Sequence, residues 1–199
     1  MVLRQRTGIF TFADSVELVR EDQKADLIDG VIYIASPEST DHNKLLTWLL
    51  TIMRAFVEDR SLGEIFVHKV AFRLTPINGP EPDLGFVKTE RLGSIKRGYV
   101  DGPPDLAVEL VSADSVERDY DAKRALFEQA GVNEYWILDQ DECRATFLVL
   151  DDSGFVEKTP VNHIHHSQVL PGFLIDVRQF WQQPLPKTRP IVDRLRSGG

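Results

Sequence analysis

The sequence predicts an α/β fold in which helices flank a mixed central β-sheet and additional antiparallel strands extend the structure. Two observations predict this class. Apolar residues recur at helical spacing in two separate stretches, residues 41–58 and residues 114–130. Around these stretches lie short β-like segments, rich in β-branched and aromatic residues and bounded by Gly, Pro and Asp.

The first elements are a short helix, a hairpin and a long helix. The segment "TFADSVELV" fits a short helix with Thr11 as its N-cap. The segment "ADLIDGVIYIAS" fits a hairpin that turns at Asp29–Gly30, because this dipeptide tolerates positive φ. From Asp41 to about Glu58 the apolar positions 45, 46, 49, 50, 53, 56 and 57 predict a helix with one wide buried face.

The middle of the chain predicts several strands and a second helix. The segments "EIFVHKVAFRL", "PDLGFVK" and "DLAVELVS" are typical of strands, whereas the Gly-, Pro- and charge-rich "TERLGSIKRGYVDGPP" predicts a loop. Residues 114–130 predict the second helix, which Gly131 ends. The strand "EYWILD" follows, and "RATFLVLD" and "GFVEKTP" predict further β segments.

Length and composition predict one domain and a short tail. A chain of 199 residues with 42% hydrophobic residues can bury the core of one medium domain. We expect that domain over residues 1–182, ending in a strand or turn and a short helix within "LPGFLIDVRQFW". Residues 183–199 contain three prolines and lose the apolar pattern, so they predict an extended C-terminal tail.

Composition also limits the class of function. The single cysteine, Cys143, excludes an internal disulfide, and no window approaches the roughly 20 apolar residues that span a bilayer. We therefore expect a soluble, cytoplasmic protein with no membrane partner. The net charge of −8 counts against a simple nucleic-acid binder, yet a metal-dependent nuclease stays possible because acids that hold cations add to the same negative total.

Two acidic residues stand in strands that should be buried. On "PDLGFV", alternation of side chains puts Asp83 on the same face as Gly85. On "DLAVEL", it puts Glu109 on the same face as Asp105 and deep in the strand. A buried carboxylate at such a position needs a partner.

Two interpretations of these acids are open. Glu109 could pair with a base from a helix or with a backbone donor, while Asp105 only begins its strand, since buried acids are usually paired. Alternatively, Asp83 and Glu109 form a metal site. Mg²⁺ takes oxygen ligands from one or two carboxylates and completes its shell with water, and two acids on neighbouring strands supply these ligands.

A lysine on the second helix strengthens the metal hypothesis. Lys123 shares the inward face of that helix with Leu126, Phe127 and Ala130. Its side chain could extend along the helix to water, or Asp119, four residues earlier, could pair with it. It could also contact the acids of the preceding strand and orient a nucleophilic water or a phosphate oxygen. The coincidence of this lysine with two buried acids favours the last alternative.

Several stretches together carry a family resemblance. Through "IDGVIYIASPESTDHNKL", "PDLGFV", "PPDLAVELVS" and "RDYDAKRALFEQAGVNEYWILD", in this order, the sequence resembles the Uma-two family of restriction-endonuclease-like bacterial proteins. The resemblance covers roughly residues 10–180, and "AGVNEYW" is its most specific part. It implies a restriction-endonuclease-like core and membership of the P-D…(D/E)-x-K nuclease superfamily.

The resemblance also implies roles for individual residues. Members of the superfamily hold Mg²⁺ with the Asp and the second acid and use the Lys near the scissile phosphate. On this basis Asp83 is the first acid, Glu109 is the second, and both bind the metal. The usual lysine position, two residues beyond Glu109, is Val111 in this sequence. The resemblance therefore implies that Lys123, from the following helix, fills the lysine role.

The remaining candidates carry weaker signals. His42 matches a histidine at the same place in the family and could line the site with Asp105 as a second accessory residue, although a capping or solvated role for His42 is open as well. The run "HIHH" puts His163 and His165 on one face of a presumed strand. With no third ligand evident, a surface histidine cluster explains that run better than a metal pair.

The leading functional prediction is an endonuclease that uses Mg²⁺, or Mn²⁺, to hydrolyse DNA phosphodiester bonds, with Asp83, Glu109 and Lys123 as catalytic residues. The alternative is a catalytically inactive nuclease-like fold that serves as a protein-interaction module, because fold does not determine function and no clear basic stripe is present. A nuclease would need bases at the rim of its site, for which Lys96 and Arg97 are candidates.

The predicted partners are DNA and a second copy of the chain. We expect a homodimer because many proteins with nuclease folds act symmetrically on duplex DNA. Apolar strand edges late in the sequence, which need cover, favour the same conclusion.

Overall fold

The computed structural model describes residues 2–3 by their backbone, and residues 8–20, 22–113 and 115–197 with their side chains. In these residues the α-helices are α1 (Phe12–Leu18), α2 (Thr40–Arg60), α3 (Lys123–Ala130) and α4 (Thr188–Arg196). The strands there are β1 (Val2–Leu3), β2 (Ala25–Ile28), β3 (Val31–Ile34), β4 (Gly63–Val67), β5 (Ala71–Arg73), β6 (Leu84–Lys88), β7 (Ile95–Lys96), β8 (Tyr99–Asp101), β9 (Leu106–Leu110), β10 (Glu134–Asp139), β11 (Arg144–Asp151), β12 (Gly154–Glu157), β13 (Ile164–His166) and β14 (Leu174–Asp176).

Six of these strands form a mixed central sheet. Their order is β12, β11, β10, β9, β6, β4, and only β9 and β10 run parallel among the paired neighbours. Parallel neighbours need a crossover connection, which the helical segment ending in α3 supplies. The predicted α/β class with a mixed central sheet is confirmed.

Smaller sheets surround the central one. β1, β3 and β2 form an antiparallel sheet, and β13 pairs with β14 in the same sense. The third small sheet, β5-β8-β7, contains one parallel pair, β5 with β8. The additional strands are therefore mostly, but not entirely, antiparallel.

The two faces of the central sheet carry separate cores. On one face, α2 and α4 pack against Leu106, Val108 and Trp136. On the other face, α3 contributes Phe127, which packs with Tyr135. Because side chains alternate along β9, Glu109 projects toward the α3 face, away from the larger core. Glu109 therefore faces the helical segment that carries Lys123.

Local signals set the first elements as the sequence predicts. The Thr11 hydroxyl accepts from the Asp14 N–H at 3.2 Å while the Asp14 carboxylate accepts from the Thr11 N–H at 2.7 Å, a reciprocal cap that begins α1. Asp29 and Gly30 have φ of 47° and 73°, which is the turn that joins β2 to β3. Both predictions are confirmed.

Two segments differ from the predicted pattern. The stretch predicted as a loop after β6 contains a 3₁₀ helix, Thr89–Ser94, followed by β7 and β8. The second helix does end at Gly131, in the left-handed conformation, but its predicted start at residue 114 lies outside the described residues. Before α3 the chain makes a π-helical turn, Arg118–Ala122. Such turns often occur at functional sites because they redirect side chains.

The C-terminal segment is not extended throughout, so the prediction of an extended tail over residues 183–199 is wrong for residues 188–196. Residues Thr188–Arg196 form α4, which packs against α2. Ile191, Val192 and Leu195 are buried there and belong to the larger core. The apolar spacing of these three residues is helical, and their burial against α2 stabilises the helix.

No helix in the part of the chain that the structure describes has the length and apolar character needed to cross a membrane.

Candidate active site

The register of two strands brings the paired acids together. β6 and β9 are antiparallel, with Leu84 opposite Val108. Asp83 directly precedes β6, so continuing this register places it beside Glu109. Both are almost fully buried, with 1% of each residue exposed. The two predicted acids are therefore neighbours on adjacent strands.

A glycine shapes the same face. Gly85 lies two residues after Asp83, and a Cβ atom built there would come within 2.4 Å of two ring carbons of Phe72. The absence of a side chain lets Phe72 pack directly on β6. This packing fixes the strand next to the first acid.

The acids border a cleft of about 450 Å³. Its lining includes Asp83 and Glu109, together with His42 from α2 and Lys123 from the start of α3. Val111, at the usual position of the superfamily lysine, lines it as well. The structure thus brings the three predicted catalytic residues and His42 into one site.

Asp83 is held by a backbone donor and a lysine. Its Oδ2 accepts a hydrogen bond from the Leu110 N–H at 2.7 Å, and its Oδ1 contacts the Lys24 ammonium. Burial opposes ionisation of this carboxyl, but Lys24 and the neighbouring His42 outweigh it and hold the pKa of Asp83 far below its ordinary value. The Asp83 carboxylate is consequently ionised at neutral pH.

Glu109 has two lysines for partners. Its Oε1 accepts from Lys123 Nζ at 2.7 Å, and its Oε2 lies 3.7 Å from Lys24 Nζ. Burial raises the pKa of Glu109 to about 8, because the attraction of both lysines offsets only part of the desolvation. A further cation at this carboxylate would favour its ionised form.

Lys123 neutralises several acids at once. Only 1% of the residue is exposed, and its Nζ lies 2.7 Å from Glu109, 3.0 Å from Asp26 and 3.7 Å from Asp119. Burial alone would lower the pKa of Lys123, but these three carboxylates together raise it above its ordinary value. Of the acids of the preceding strand, Lys123 contacts Glu109 and not Asp105, and the pairing with Asp119 is present as well.

Asp26 and Arg118 extend this charged cluster. Asp26 Oδ1 accepts from the Glu81 N–H at 2.9 Å, and its Oδ2 lies 3.2 Å from Arg118 Nε. Arg118 comes from the π-helical turn and lines the cleft. Ion pairs of Asp26 therefore connect hairpin β2–β3 to the helical segment that follows β9.

A second group of ligands adjoins the first. Glu38, His42 and Asp83 offer one ligand atom each within 4.8 Å of one another, which suits a metal ion. His42 Nε2 lies 3.9 Å from Glu38 and 3.8 Å from Asp83, too long for hydrogen bonds, and this buried nitrogen has no hydrogen-bond partner. His68 Nδ1 lies 3.2 Å from Glu38 at the edge of the group.

The residues present fit a divalent metal ion. Asp83 and Glu109 offer oxygen atoms, which are the ligands Mg²⁺ prefers, while the group with His42 adds a nitrogen ligand that suits Mn²⁺ or Zn²⁺. Both positions use Asp83. The site can therefore hold a metal on either side of this carboxylate.

Other sequence candidates lie elsewhere. Asp105 accepts from the Lys88 N–H at 2.9 Å and pairs with Arg91 at 3.1 Å, and it is absent from the lining of the cleft. Four residues of strand put it about 13 Å along β9 from Glu109. Neither Lys96 nor Arg97 lines the cleft.

The histidine run is not a surface cluster, so that interpretation is wrong for its central member. His165 is 3% exposed, stacks on Phe147 with ring centroids 3.6 Å apart, and places its Nε2 3.0 Å from Glu134 Oε1. Its neighbour His163 is exposed and has φ of 67°. His165 packs in the core as the partner of a buried acid.

Sequence reasoning missed Lys24, Asp26 and Glu38. Asp26 carries the same signal as Glu109, an acid inside an apolar strand, and is only 2% exposed. Lys24 and Glu38 stand in irregular segments outside β2 and α2. No periodicity applies there, so no pattern could assign a direction to their side chains.

Comparison with known proteins identifies related sequences and folds. The family model Uma2, described as "Putative restriction endonuclease", matches residues 12–178. The crystal structure of a putative nuclease belonging to DUF820, from Anabaena variabilis, matches with a TM-score of 0.69 and 13% sequence identity. That match covers 86% of this chain and 97% of the other, and it shows a shared fold. Among curated proteins, no sequence matches.

Proposed function

Because this chain belongs to the Uma2 family of restriction-endonuclease-like proteins, we propose that it is a Mg²⁺-dependent endonuclease that hydrolyses the phosphodiester bonds of DNA. The observation that carries this proposal is the pair of buried acids, Asp83 and Glu109, at the wall of an open cleft. Buried carboxylates whose pKa values are strongly shifted and which line a cleft are typical of functional sites. The family description supports a nucleic acid as substrate.

Each residue of the site has a separate role in the proposed hydrolysis. Asp83 and Glu109 would hold the metal, and the Leu110 N–H and the Lys123 ammonium orient them from behind at 2.7 Å each. Bound Mg²⁺ would supply Lewis acidity at the scissile phosphate. Lys123 donates a hydrogen bond to Glu109 and stands at the lining of the cleft, where positive charge stabilises a phosphate.

Cleavage tests this proposal directly. We expect the protein to nick supercoiled plasmid DNA with Mg²⁺ or Mn²⁺, and we expect Asp83→Asn and Glu109→Gln to lose at least about 10²-fold in rate. Asp105→Asn is the matched control, since this acid lies on the same strand face but outside the cleft. If the folded wild-type protein nicks no DNA with any divalent metal, the inactive interaction module is the better description.

Metal binding tests the position of the ion. Calorimetric titration with Mg²⁺ and with Mn²⁺ should show one strong site that Glu109→Gln weakens sharply. Identical binding by wild type and Glu109→Gln would remove Glu109 from the site. Loss of binding in His42→Gln but not in Glu109→Gln would place the ion in the neighbouring group with Glu38.

We also propose that two copies of the chain act together on duplex DNA, because a twofold-symmetric pair matches the two antiparallel strands of the substrate. A folded protein that nicks DNA as a monomer would contradict this part of the proposal alone.

A further inference from the structure

Lys24 occupies the space between the two acids of the proposed metal site. Its ammonium contacts Asp83 Oδ1 and lies 3.7 Å from Glu109 Oε2. Lys24 is the residue directly before β2, and it lines the same cleft as Lys123. The sequence offers no signal for this lysine, and the family roles considered above do not include it.

The oxygens that Lys24 contacts are the ones that a bridging ion would use. The other oxygen of Asp83 accepts from the Leu110 N–H, and the other oxygen of Glu109 accepts from Lys123, each at 2.7 Å. Asp83 Oδ1 and Glu109 Oε2 are therefore the oxygens that would be open to a cation shared by the two acids once Lys24 leaves. A divalent ion and the Lys24 ammonium cannot both hold that position, because two cations so close repel strongly.

Lys24 has space to leave. About 15% of its side chain is exposed, and it also lines a neighbouring cavity of about 550 Å³. Glu38 and His68 line that cavity too, and Glu38 offers a carboxylate for the ammonium. Four rotatable bonds let the lysine move between Asp83 and this cavity without movement of the backbone.

Lys123 has no such freedom. Its side chain is 1% exposed, and three carboxylates surround its ammonium within 3.7 Å. The two lysines of the site, Lys24 and Lys123, therefore differ in how freely their side chains can move. One is fixed in the protein interior, and the other is held by an acid pair next to an open cavity.

We propose that Lys24 fills the metal position in the metal-free protein and moves into the cavity beside Glu38 when a divalent ion binds. This inference rests on the proposed function. In the metal-free state the ammonium keeps Asp83 and Glu109 from repelling one another, so the acids stay in place. After the exchange, the ammonium lies at the rim of the cleft, where it can bind a phosphate oxygen of the substrate.

Chemical labelling of lysines tests the movement. Wild-type protein is acetylated briefly with acetic anhydride, with and without saturating Mg²⁺, and each lysine is quantified by mass spectrometry. We expect labelling of Lys24 to rise at least about fivefold with the metal, because an ammonium released from a buried ion pair becomes accessible. Lys123 should stay unlabelled, and Lys44, whose side chain is 60% exposed, should be labelled equally in both samples.

Calorimetry on a neutral variant tests the competition. Lys24→Met keeps the length of the side chain but removes the ammonium, so we expect Mn²⁺ to bind at least about tenfold more tightly than to wild type. Lys44→Met, which removes a lysine elsewhere, should bind Mn²⁺ as wild type does.

The outcomes separate this inference from the proposed function. The metal site stands if Mn²⁺ binds to wild type and Glu109→Gln abolishes this binding. The exchange of Lys24 is then wrong if labelling of Lys24 does not change with the metal and Lys24→Met binds Mn²⁺ no more tightly than wild type and Lys44→Met do. If neither wild type nor Lys24→Met binds any divalent ion, both the metal site and the exchange are wrong.

Discussion

Lys123 stands where several buried acids of the fold need a cationic side chain. Its ammonium is the common partner of Glu109, Asp26 and Asp119, all of which are buried. Removing one partner of a buried charge cluster leaves the others uncompensated, which costs more than the pair itself contributes.

We therefore predict that Lys123→Met lowers the free energy of unfolding by about 3–5 kcal/mol. Urea denaturation at pH 7, followed by tryptophan fluorescence, measures the loss. The double variant Lys123→Met with Asp26→Asn should recover part of it, because the buried acid 3.0 Å from the lost ammonium is then neutral. Equal losses in the single and double variants would show that the two residues are not coupled.

Gly85 gives a second prediction at this scale. A methyl group there would meet the ring of Phe72 at 2.4 Å, and both residues are buried in the interior. We expect Gly85→Ala to destabilise the fold by about 1–3 kcal/mol through overpacking. Thermal unfolding measures this cost. Phe72→Leu is the partner change, and in its presence Gly85→Ala should cost clearly less.

Single residues also show what the sequence can and cannot predict about the site. Alternation along two strands and the stripe on the second helix predict that Asp83, Glu109 and Lys123 face inward, and the family resemblance implies that they share one site. These patterns work because regular elements fix the direction of each side chain. Lys24 and Glu38 enter the same site from irregular segments. Their positions depend on how the hairpin and α2 pack, which is tertiary information that no local pattern holds.

At the scale of elements, β10 is joined to the β13 region by one buried acid. Glu134 is fully buried, and one of its oxygens accepts from the Ser167 hydroxyl at 2.7 Å and from the Gln168 and Val169 N–H groups at 3.0 Å each. The other lies 3.0 Å from His165 Nε2. Burial opposes its ionisation, but these donors prevail and lower the pKa of Glu134 below its usual value.

This arrangement predicts a pH-dependent stability. Because its pKa in the folded protein is lowered, Glu134 stabilises the fold above the ordinary glutamate pKa of 4.5, and this contribution is lost as the pH falls through the folded value. We predict that Glu134→Gln costs about 3 kcal/mol at pH 7, and that the difference from wild type shrinks below about pH 4. Urea unfolding at both pH values measures it. A difference that is independent of pH would contradict the ionised state of Glu134.

The C-terminal helix is a second element with a measurable role. Leu195 of α4 is 3% exposed and belongs to the core over α2. We predict that Leu195→Ala lowers stability by about 2–5 kcal/mol. Arg189→Ala on the same helix, with a side chain 92% exposed, should change it by less than about 0.5 kcal/mol. If the segment were an extended tail, neither variant would lose stability. The melting temperatures of the two variants therefore test whether α4 packs on the core.

The prolines in this segment explain why helix α4 is not predicted from the sequence. Pro184 and Pro186 precede it, and Pro190 is its third residue. A proline in the first turn of a helix removes an N–H that has no intrahelical acceptor, so it does not interrupt the helix. Proline-rich composition therefore indicates disorder only when no apolar face follows, and here Ile191 and Leu195 supply one.

At the scale of the whole molecule, a side chain bonds one backbone group on each edge strand of the central sheet. On the β4 edge, Arg54 Nη2 donates to the Ile65 carbonyl at 3.2 Å. On the β12 edge, the Phe155 N–H donates to the Glu128 carboxylate at 2.6 Å. Proteins protect strand edges in this way against pairing with other chains. At these two backbone groups the strand edges need no cover from a second chain. The expectation of a homodimer therefore rests on symmetric action on DNA.

The last prediction concerns association of whole chains. For the wild type we expect a homodimer of about 45 kDa, twice the chain mass of 22.6 kDa, by light scattering at micromolar concentration. Glu128→Ala frees the Phe155 N–H on the β12 edge, so we expect it to form larger, concentration-dependent assemblies through strand pairing. Glu142→Ala, at an exposed acid outside the sheet edge, is the matched control and should keep the wild-type mass. A wild-type mass of 22.6 kDa would remove the homodimer, whereas equal masses for Glu128→Ala and wild type would show that Glu128 does not protect the edge.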